Sequence, residues 1–408
     1  MASNSTRRAV LGAMGSAALA ATARTVSAKA YDTGASDSEI KLGSSAPYSG
    51  PASAYGLYGT CQTAYFKMLN EQGGINGRKV TVISLDNAFS PPKALEVTRQ
   101  LVEGDKVLAI AGTLGTAANT SMQKYLNDRK VPNLFLTSGA ERFNDPKHFP
   151  WIVPLYPTYV GQGEIFGKYI LAKHAGAKVG VLYVNDDLGK DFLKGLKKGL
   201  GERGTIAREV SHEFTDPSVD NQIIDLKGSG ADVLVQLTYA KFAAQGMRKA
   251  YELGWRPAAQ ILASVASSIS GGLVPAGIAA SKGIITARWE KLPNDPQTAK
   301  DPDVVDYIAF CKKYMPGVNV EDNTPVAAYI NSFLIARVLG ACGDELTREN
   351  VLKQATGLKN MAVPMLMSGI TVTNSPDDYL AFHALQLCQF DGEKLAPLGE
   401  LISFSSST

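Results

Sequence analysis

The sequence lacks the local motifs that mark several large enzyme classes. It contains no Gly-x-x-x-x-Gly-Lys-Ser/Thr phosphate loop, no Gly-x-Ser-x-Gly nucleophile motif and no His-Glu-x-x-His zinc motif. Gly161 and Gly163 are followed by the next glycine at position 167, one residue too late for the dinucleotide-binding fingerprint. The four histidines lie far apart, at positions 148, 174, 212 and 383. We therefore expect a protein that is not an enzyme and that uses no cofactor and no metal.

An excess of charge of one sign is also absent. The 408 residues include 41 Lys and Arg against 38 Asp and Glu, and the two signs alternate along the chain. Proteins that bind nucleic acids need a clustered basic surface. We therefore expect no nucleic-acid partner.

Cysteine is scarce and scattered. Cys61, Cys311, Cys342 and Cys388 form no Cys-x-x-Cys pair, so neither a zinc site nor a thioredoxin-like motif is indicated. In an oxidising compartment four cysteines can form disulfides in any of three full pairings, or they can stay as buried free thiols. Both arrangements are compatible with the sequence.

The first 30 residues have the pattern of an export signal. They contain four basic residues and no acidic one, with Arg7 and Arg8 ahead of an uncharged, Ala-rich stretch from Ala9 to Ala23. That stretch is too short to span a bilayer, and small-residue cleavage sites follow it, one of them Ala28-Lys29-Ala30. We expect residues 1–30 to be a twin-arginine-like signal that is cleaved on export to the periplasm, leaving a mature charge of about −1.

From residue 40 onward, short apolar runs alternate with stretches of helical period, a pattern that predicts parallel sheets covered by helices on both faces. At about 150 residues per domain, the length suggests two or three domains. The first block has predicted strands at 40–45, 80–85, 107–111 and 133–136 and predicted helices at 55–71, 92–103 and 116–128. The second has predicted strands at 178–184, 206–211, 233–237 and 260–263 and predicted helices at 190–203, 219–228 and 241–253.

Segments 151–157 and 284–289 are extended and flank the second block, so we interpret them as crossings between two lobes. Beyond them the pattern predicts helices at 302–314, 326–339 and 348–358 and a hairpin of 384–390 and 398–404. The predicted fold is α/β, with two doubly wound parallel-sheet lobes around a ligand cleft. We expect lobe I to comprise 36–153 plus 287–360, and lobe II to comprise 154–286 plus 361–408, in a monomer.

Three loops rich in Gly, Ser and Thr follow predicted strands, at 43–56, 112–119 and 137–141. Ligands bind at the carboxyl ends of strands in open α/β sheets. Thr116 begins a predicted helix, whose free amides with a neighbouring hydroxyl would form an anion site. Tyr48 and Tyr55 lie nearby, so we expect a carboxylate ligand to bind at this edge of the sheet.

Several longer motifs resemble those of the periplasmic solute-binding proteins that serve ABC importers, in particular the branched-chain amino acid type, which are type I binding proteins. The motifs are Ala46-Pro47-Tyr48-Ser49-Gly50-Pro51 with Tyr55-Gly56, Asn70-Glu71-Gln72-Gly73-Gly74-Ile75-Asn76-Gly77-Arg78, Asp86, Asp186-Asp187-Leu188-Gly189 and Gln245-Gly246-Met247-Arg248-Lys249-Ala250. The resemblance implies two lobes joined by a three-stranded hinge and an ABC permease and ATPase complex as partner.

The resemblance also implies roles for individual residues. Tyr55 matches an aromatic position that lines the ligand site, Thr116 matches a hydroxyl residue that holds the ligand carboxylate, and Tyr239 matches an aromatic that closes over the ligand. Residues 138–140 match the loop that receives an ammonium group. The candidate ligand-binding residues are Tyr48, Tyr55, Leu114, Gly115, Thr116, Ser138, Gly139, Ala140, Glu141, Tyr159, Leu188, Tyr239 and Ser264.

Two departures from the family pattern bear on the ligand. Residues 263–268 contain no acidic side chain where amino-acid binders place one, and Leu188 stands where an aromatic is common. An unpaired buried ammonium is costly, so an amino acid fits poorly unless Glu141 supplies the charge. We expect an aromatic or apolar carboxylic acid, and residues 342–351 resemble the branch that binds aromatic acids. The alternatives are a branched-chain or other hydrophobic amino acid or amide, a periplasmic sensor subunit and an exported hydrolase.

Overall fold

Two sheets with helices on their faces organise the chain, and the computed structural model describes residues 29–404. Of the expected export signal, residues 1–28 lie outside the described residues. The strands are, in chain order, β1 (Ala30–Tyr31), β2 (Glu39–Ala46), β3 (Lys79–Asp86), β4 (Ala109–Ala111), β5 (Asn133–Leu136), β6 (Ile152–Pro154), β7 (Lys178–Val184), β8 (Thr205–His212), β9 (Val233–Leu237), β10 (Ala259–Leu262), β11 (Ile285–Arg288), β12 (Glu345–Leu346), β13 (Ala384–Phe390) and β14 (Leu395–Ser403).

The helices of the described residues connect and cover these strands. They are α1 (Leu57–Glu71), α2 (Pro91–Arg99), α3 (Thr116–Asp128), α4 (Tyr159–Lys173), α5 (Asp187–Leu200), α6 (Asp220–Gly228), α7 (Ala240–Glu252), α8 (Val274–Ala276), α9 (Ile278–Ser281), α10 (Pro302–Tyr314), α11 (Asn323–Ala341) and α12 (Arg348–Ala355).

Both lobes repeat one strand order. The first sheet is entirely parallel, in the order β3-β2-β4-β5-β6, and the second has the order β14-β13-β11-β10-β9-β7-β8. In the second sheet the five strands from β7 to β11 are parallel, and the β13–β14 hairpin adds two antiparallel strands at one edge. Strands β5, β6, β9 and β11 are buried along their whole length, as expected for strands covered on both faces.

The chain passes between the lobes three times. It leaves the first sheet after β6 and continues into α4, which packs on α5 of the second lobe. It returns after β11 to α10 and α11, which pack on α1, and crosses again between α12 and β13. The predicted fold class of two doubly wound lobes joined by three crossings is therefore confirmed.

Helix α4 was not predicted from the sequence, and glycines explain why. Three of its fifteen residues are glycine, which lowers intrinsic helix propensity. Glycines of both helices let α4 and α5 approach closely: a Cβ at Gly163 of α4 would lie 2.2 Å from the Phe192 carbonyl oxygen, and one at Gly195 of α5 would lie 2.0 Å from the Val160 carbonyl oxygen. Tertiary packing between α4 and α5 therefore holds a helix that local propensity disfavours.

The cysteines are all buried free thiols in the structure. Cys61 lies in α1, where its thiol donates to the Pro325 carbonyl oxygen at 3.3 Å, and Cys342 donates to the Val338 carbonyl oxygen at the same distance. The sequence is compatible with disulfides or with buried free thiols, and the structure has the buried free thiols.

Candidate ligand cleft between the lobes

The repeated strand order places a topological switch point in each lobe. In the first sheet the chain runs from β2 outward to β3 and then back past β2 to β4; in the second it does the same with β7, β8 and β9. The loops at such a point diverge and leave a crevice at the carboxyl ends of the strands. Loops 47–56 and 112–115 form this crevice on one lobe, and loops 185–186 and 238–239 form it on the other.

A cleft with an empty volume of about 540 Å³ lies where these loops meet. Its walls are mostly aromatic and apolar, with a few hydroxyl groups, one amide and one carboxylate. The lining residues are Tyr55, Tyr58, Phe89, Leu114, Gly115, Thr116, Thr137, Tyr156, Tyr159, Leu188, Tyr239, Val265, Trp289, Glu290, Asn323, Thr324 and Ala327. This composition, apolar walls with a small number of placed polar groups, is typical of small-molecule sites.

The polar end on the first lobe is the start of α3. No side chain within the described residues caps this helix, so amides of its first turn are open to a ligand. The Thr116 hydroxyl lies 2.8 Å from the Ser138 hydroxyl and 3.4 Å from that of Tyr159. The preceding Gly115 has φ +108°, a conformation that suits glycine. Open amides, the positive end of a helix dipole and three hydroxyl groups are groups that can bind an anion.

Tyr55 joins the two lobes directly. Its hydroxyl donates to the Val265 carbonyl oxygen at 3.0 Å and accepts from the Ala240 amide at 3.0 Å, and both partners belong to the second lobe. Burial raises the pKa of Tyr55 well above its ordinary value, so the hydroxyl keeps its proton. The structure is therefore that of a closed cleft, with this hydroxyl fixed between the lobes.

An aromatic cluster forms one wall of the cleft. Phe89 of the first lobe contacts Phe214 and Tyr239 of the second, with ring centroids 5.0 and 5.2 Å apart. Phe89 has φ +58°, held by a hydrogen bond from its amide to the Asn87 side-chain oxygen. Non-glycine residues seldom adopt this conformation, and such residues cluster at functional sites. The strained turn after β3 thus carries the ring that closes against the second lobe.

The side chain of Tyr239 is held in place by a hydrogen bond to an acidic side chain. Its hydroxyl donates to Asp186 at 2.8 Å, and Asp186 also accepts the Gly189 amide at the start of α5. Burial raises the pKa of Asp186, and burial together with that neighbouring carboxylate raises the pKa of Tyr239. Asp186 therefore positions the ring of Tyr239 over the cleft.

The hinge side of the cleft is formed by the chain crossings. Tyr156 and Trp289 pack edge to face, with centroids 5.7 Å apart, and Trp289 contacts Phe382 at 4.8 Å. The Tyr156 hydroxyl lies 3.0 Å from the Ser264 hydroxyl. Two crossings thus contribute an aromatic ring to the lining, and the third contributes Phe382, which packs behind Trp289.

Charged groups of the two lobes pair at the mouth of the cleft. Glu141 accepts from Lys194 at 2.5 Å, and Arg142 pairs with Asp187 at 2.9 Å. The Glu141 amide donates to the Asp191 carboxylate at 2.8 Å. Burial, together with the nearby Glu141 and Asp187 carboxylates, raises the pKa of Asp191 to about 6. The rim therefore contains one hydrogen bond between the lobes, from the Glu141 amide to Asp191, whose acceptor titrates near neutral pH.

Replacing Asp191 by asparagine is expected to raise the melting temperature by about 1–2 °C at pH 7.5, since the neutral amide oxygen still accepts the Glu141 amide without the cost of a half-buried charge. Because the pKa is raised in the folded chain, the wild-type penalty grows as pH rises toward and through 6 and is absent below about pH 4. Melts at pH 7.5 and pH 4.5 should therefore show a difference between wild type and variant that shrinks at the lower pH. Asp187→Asn, which removes a rim ion pair, should give no such gain, and an equal difference at both pH values would contradict the prediction.

Seven of the residues predicted from the sequence line the cleft: Tyr55, Leu114, Gly115, Thr116, Tyr159, Leu188 and Tyr239. Others lie directly behind the lining. Ser138 contacts Thr116, the Gly139 carbonyl accepts the Tyr159 amide at 2.9 Å, the Ala140 amide donates to Ser138 at 3.3 Å, and Ser264 contacts Tyr156.

Two predicted residues lie away from the cleft. Tyr48 is 38% exposed and its hydroxyl bonds to Ser84 at 2.6 Å, because the turn before α1 directs the ring across Gly59 of that helix. Glu141 lies on the rim and is paired with Lys194. In this closed structure its carboxylate lies outside the lining and is paired with a cation, and the expectation that it could pair an ammonium group stays a prediction.

The lining residues that sequence reasoning missed come mainly from the crossings and from one turn. Tyr156 and Trp289 lie in the two extended segments that were interpreted only as connections, and an aromatic residue in each was the available signal. Phe89 follows β3 as the predicted loops follow their strands, but its turn is not rich in glycine or hydroxyl residues. Glu290, Asn323 and Thr324 line the cleft only because the chain returns across the hinge. No local sequence pattern marks them.

Comparisons with known proteins agree with this architecture. A family model described as "Periplasmic binding protein" matches residues 39–394. The "Leu/Ile/Val-binding protein homolog 7" of Brucella suis biovar 1 (strain 1330) is 24% identical over 322 residues, which is 74% of this chain and 77% of that protein.

Two solved structures share the fold at low identity. A branched chain amino acid ABC transporter protein from Thermus thermophilus with bound valine superposes with a TM-score of 0.78 at 18% identity, covering 90% of this chain and 97% of that one. A solute binding protein of an ABC transporter from Rhodopseudomonas palustris BisB5 in complex with 3,4-dihydroxy benzoic acid superposes with a TM-score of 0.75 at 19% identity, with the same coverage.

Proposed function

The chain belongs to the periplasmic binding protein family, and on this basis we propose that it is a periplasmic receptor that closes its lobes on a small carboxylate with an aromatic or apolar body. In this role it makes and breaks no bond. It presents the closed, loaded form to the permease of an ABC importer. The twin-arginine-like segment at residues 1–30 is the proposed export signal. The receptor is proposed to act as a monomer.

The observation that carries the proposal is the uncapped start of α3. Like several other helices of the described residues, α3 has no side-chain cap; its start lines the cleft at Gly115 and Thr116, beside the Ser138 and Tyr159 hydroxyls. A ligand carboxylate would take the place of a side-chain cap and accept from the open amides and the Thr116 hydroxyl. The aromatic walls then bury the rest of the molecule.

Closure follows from contacts that a ligand makes with both lobes at once. A carboxylate on α3 would hold the ligand to the first lobe, while Tyr239 and Leu188 would pack on its body from the second. A ligand shifts an open and closed equilibrium only by its differential affinity for the two states. The Tyr55 and rim contacts add to the closed state without ligand, so the ligand needs to supply only part of the closing energy.

A hydrophobic amino acid is the second candidate, since relatives carry the names of leucine-, isoleucine- and valine-binding proteins. Its ammonium would need a free buried carboxylate. Glu141 is paired on the rim, and Glu290, the carboxylate among the lining residues, lies 3.0 Å from the Arg288 guanidinium. An ammonium would therefore have to compete with an existing cation, which favours a ligand without one.

Thermal melts of the purified chain with a panel of acids test the proposal. Benzoate, para-hydroxybenzoate, trans-cinnamate, leucine and valine are each titrated to millimolar concentration. We expect at least one aromatic acid to raise the melting temperature by several degrees, because ligand binding stabilises the native state by RT ln(1 + [L]/Kd). A shift with leucine or valine and none with any aromatic acid would contradict the aromatic assignment and support the second candidate.

A further inference from the structure

A second polar group lines the cleft besides the anion site on α3. Glu290 is 3% exposed and belongs to the lining, two residues after β11 at the hinge end. Its carboxylate accepts the Trp289 amide at 3.0 Å and lies 3.0 Å from the Arg288 guanidinium. A carboxylate has about four acceptor positions, so at least one remains for a ligand.

This carboxylate is separated from the anion site by aromatic rings. Thr116 touches the Tyr159 hydroxyl, the Tyr159 ring lies 6.0 Å from that of Tyr156, and Tyr156 lies 5.7 Å from Trp289, the neighbour of Glu290. The two polar groups thus lie at the two ends of a series of aromatic contacts. A flat ligand lying along these rings would have its carboxylate at one end and Glu290 at the other.

The charge of Glu290 is already balanced. The side chains of Arg288 and Glu290 are 1% and 4% exposed, so the pair is removed from water. Within residues 29–404 the Arg288 nitrogens have no well-aligned hydrogen-bond partner, and Glu290 is the anion in contact with them. A ligand ammonium at this end would face a buried guanidinium, whereas a neutral hydroxyl needs only an acceptor. The pair therefore favours a neutral donor over a cationic one.

Building on the proposed function, we propose that Glu290 selects a ligand with a neutral hydroxyl at the end remote from its carboxylate, which makes a hydroxylated aromatic acid the ligand class. Arg288 is a positioning residue that holds the Glu290 carboxylate in place and balances its charge. The uncharged Thr324 and Asn323 side chains line the cleft on α11 and leave this end without a second carboxylate. The cleft then recognises an anion at one end and a hydrogen-bond donor at the other.

Calorimetric titration with three probes tests this inference. Benzoate, para-hydroxybenzoate and para-aminomethylbenzoate share the ring and the carboxylate and differ only in the remote group. Wild type is expected to bind para-hydroxybenzoate about 10-fold more tightly than benzoate, and para-aminomethylbenzoate more weakly than para-hydroxybenzoate. Arg288→Met with Glu290→Leu, which replaces a buried pair by apolar groups and so can keep the fold, should bring the benzoate and para-hydroxybenzoate affinities to within about 2-fold.

Two further variants keep the test decisive. Arg288→Met with Glu290→Gln removes the buried cation together with the carboxylate charge, retains a weaker, neutral acceptor and should reduce the preference to about 3-fold, so it serves if the first double variant does not fold. Glu164→Gln is the matched control, because Glu164 lies on α4 outside the lining and pairs with Lys168 and Lys198. It should leave the preference unchanged.

The possible outcomes distinguish a failure of this inference from a failure of the proposed function. Equal binding of benzoate and para-hydroxybenzoate to wild type, or tighter binding of the aminomethyl probe, would overturn the role of Glu290 and leave the carboxylate receptor intact. A preference that survives unchanged in both Glu290 variants would do the same. Binding of leucine with no binding of any benzoate would overturn the proposed function itself.

Discussion

Thr116→Val is expected to weaken binding of the best carboxylate of the panel about 10- to 100-fold, with little change in the melting temperature of the free protein. The substitution keeps the shape of the side chain and removes the hydroxyl at the start of α3 that contacts the Ser138 and Tyr159 hydroxyls. A hydrogen bond to a charged group contributes about 1.5–3 kcal/mol, which corresponds to that loss of affinity. Calorimetric titration of wild type and variant measures it directly.

Thr120→Val is the matched control for this experiment. It lies one turn further along the same helix, and its buried hydroxyl has no hydrogen-bond partner within the described residues. The same chemical change there should leave affinity unaltered. If both variants bind as wild type does, the carboxylate does not bind at the start of α3, and the observation on which the proposed function depends is removed.

Gly195→Ala is expected to lower the stability of the second lobe by about 3 kcal/mol, or roughly 6–12 °C in melting temperature. The new Cβ would lie 2.0 Å from the Val160 carbonyl oxygen, which is backbone and cannot turn away. Helices α4 and α5 would have to separate, and both α4 and α5 carry lining residues, Tyr159 and Leu188. Calorimetric melts measure the loss.

Gly228→Ala provides the control for helix propensity. Gly228 ends α6, and a Cβ there meets nothing within 4 Å. Alanine should be neutral or stabilise by up to about 1 kcal/mol, because it restricts the unfolded chain. A loss of stability at Gly228 as large as at Gly195 would show that close approach of α4 and α5 is not the cause.

Elements with a clean hydrophobic period could be predicted from the sequence. Strands β5, β7 and β9 and helices α3 and α10 begin and end at the predicted residues. Each is a buried apolar run or an amphipathic stretch bounded by polar or helix-breaking residues, so local pattern and tertiary burial agree. The predicted start of α3 placed Thr116 correctly for the same reason.

Features that depend on contacts distant in sequence could not be predicted. Helix α4 exists because its glycines face those of α5, which no local window contains. Glu290 lies in the cleft because β11 joins the second sheet beside the hinge. Tyr48 lies outside the cleft because its ring packs against Gly59. The ligand class depends on such residues more than on the motifs, which explains why the family is easier to predict than the ligand.

The return of the chain to the first lobe has a consequence for the order of folding. Helix α11 completes the core against α1, and the Asn331 amide donates to the Phe135 carbonyl oxygen at 2.6 Å. These residues are synthesised only after every parallel strand of the second sheet. The first lobe therefore cannot close its core until nearly the whole chain exists, and such non-local contacts slow folding. We expect refolding in which β7, β8 and β9, which pair with strands close in sequence, acquire hydrogen-exchange protection first and β2, β4 and β5 last.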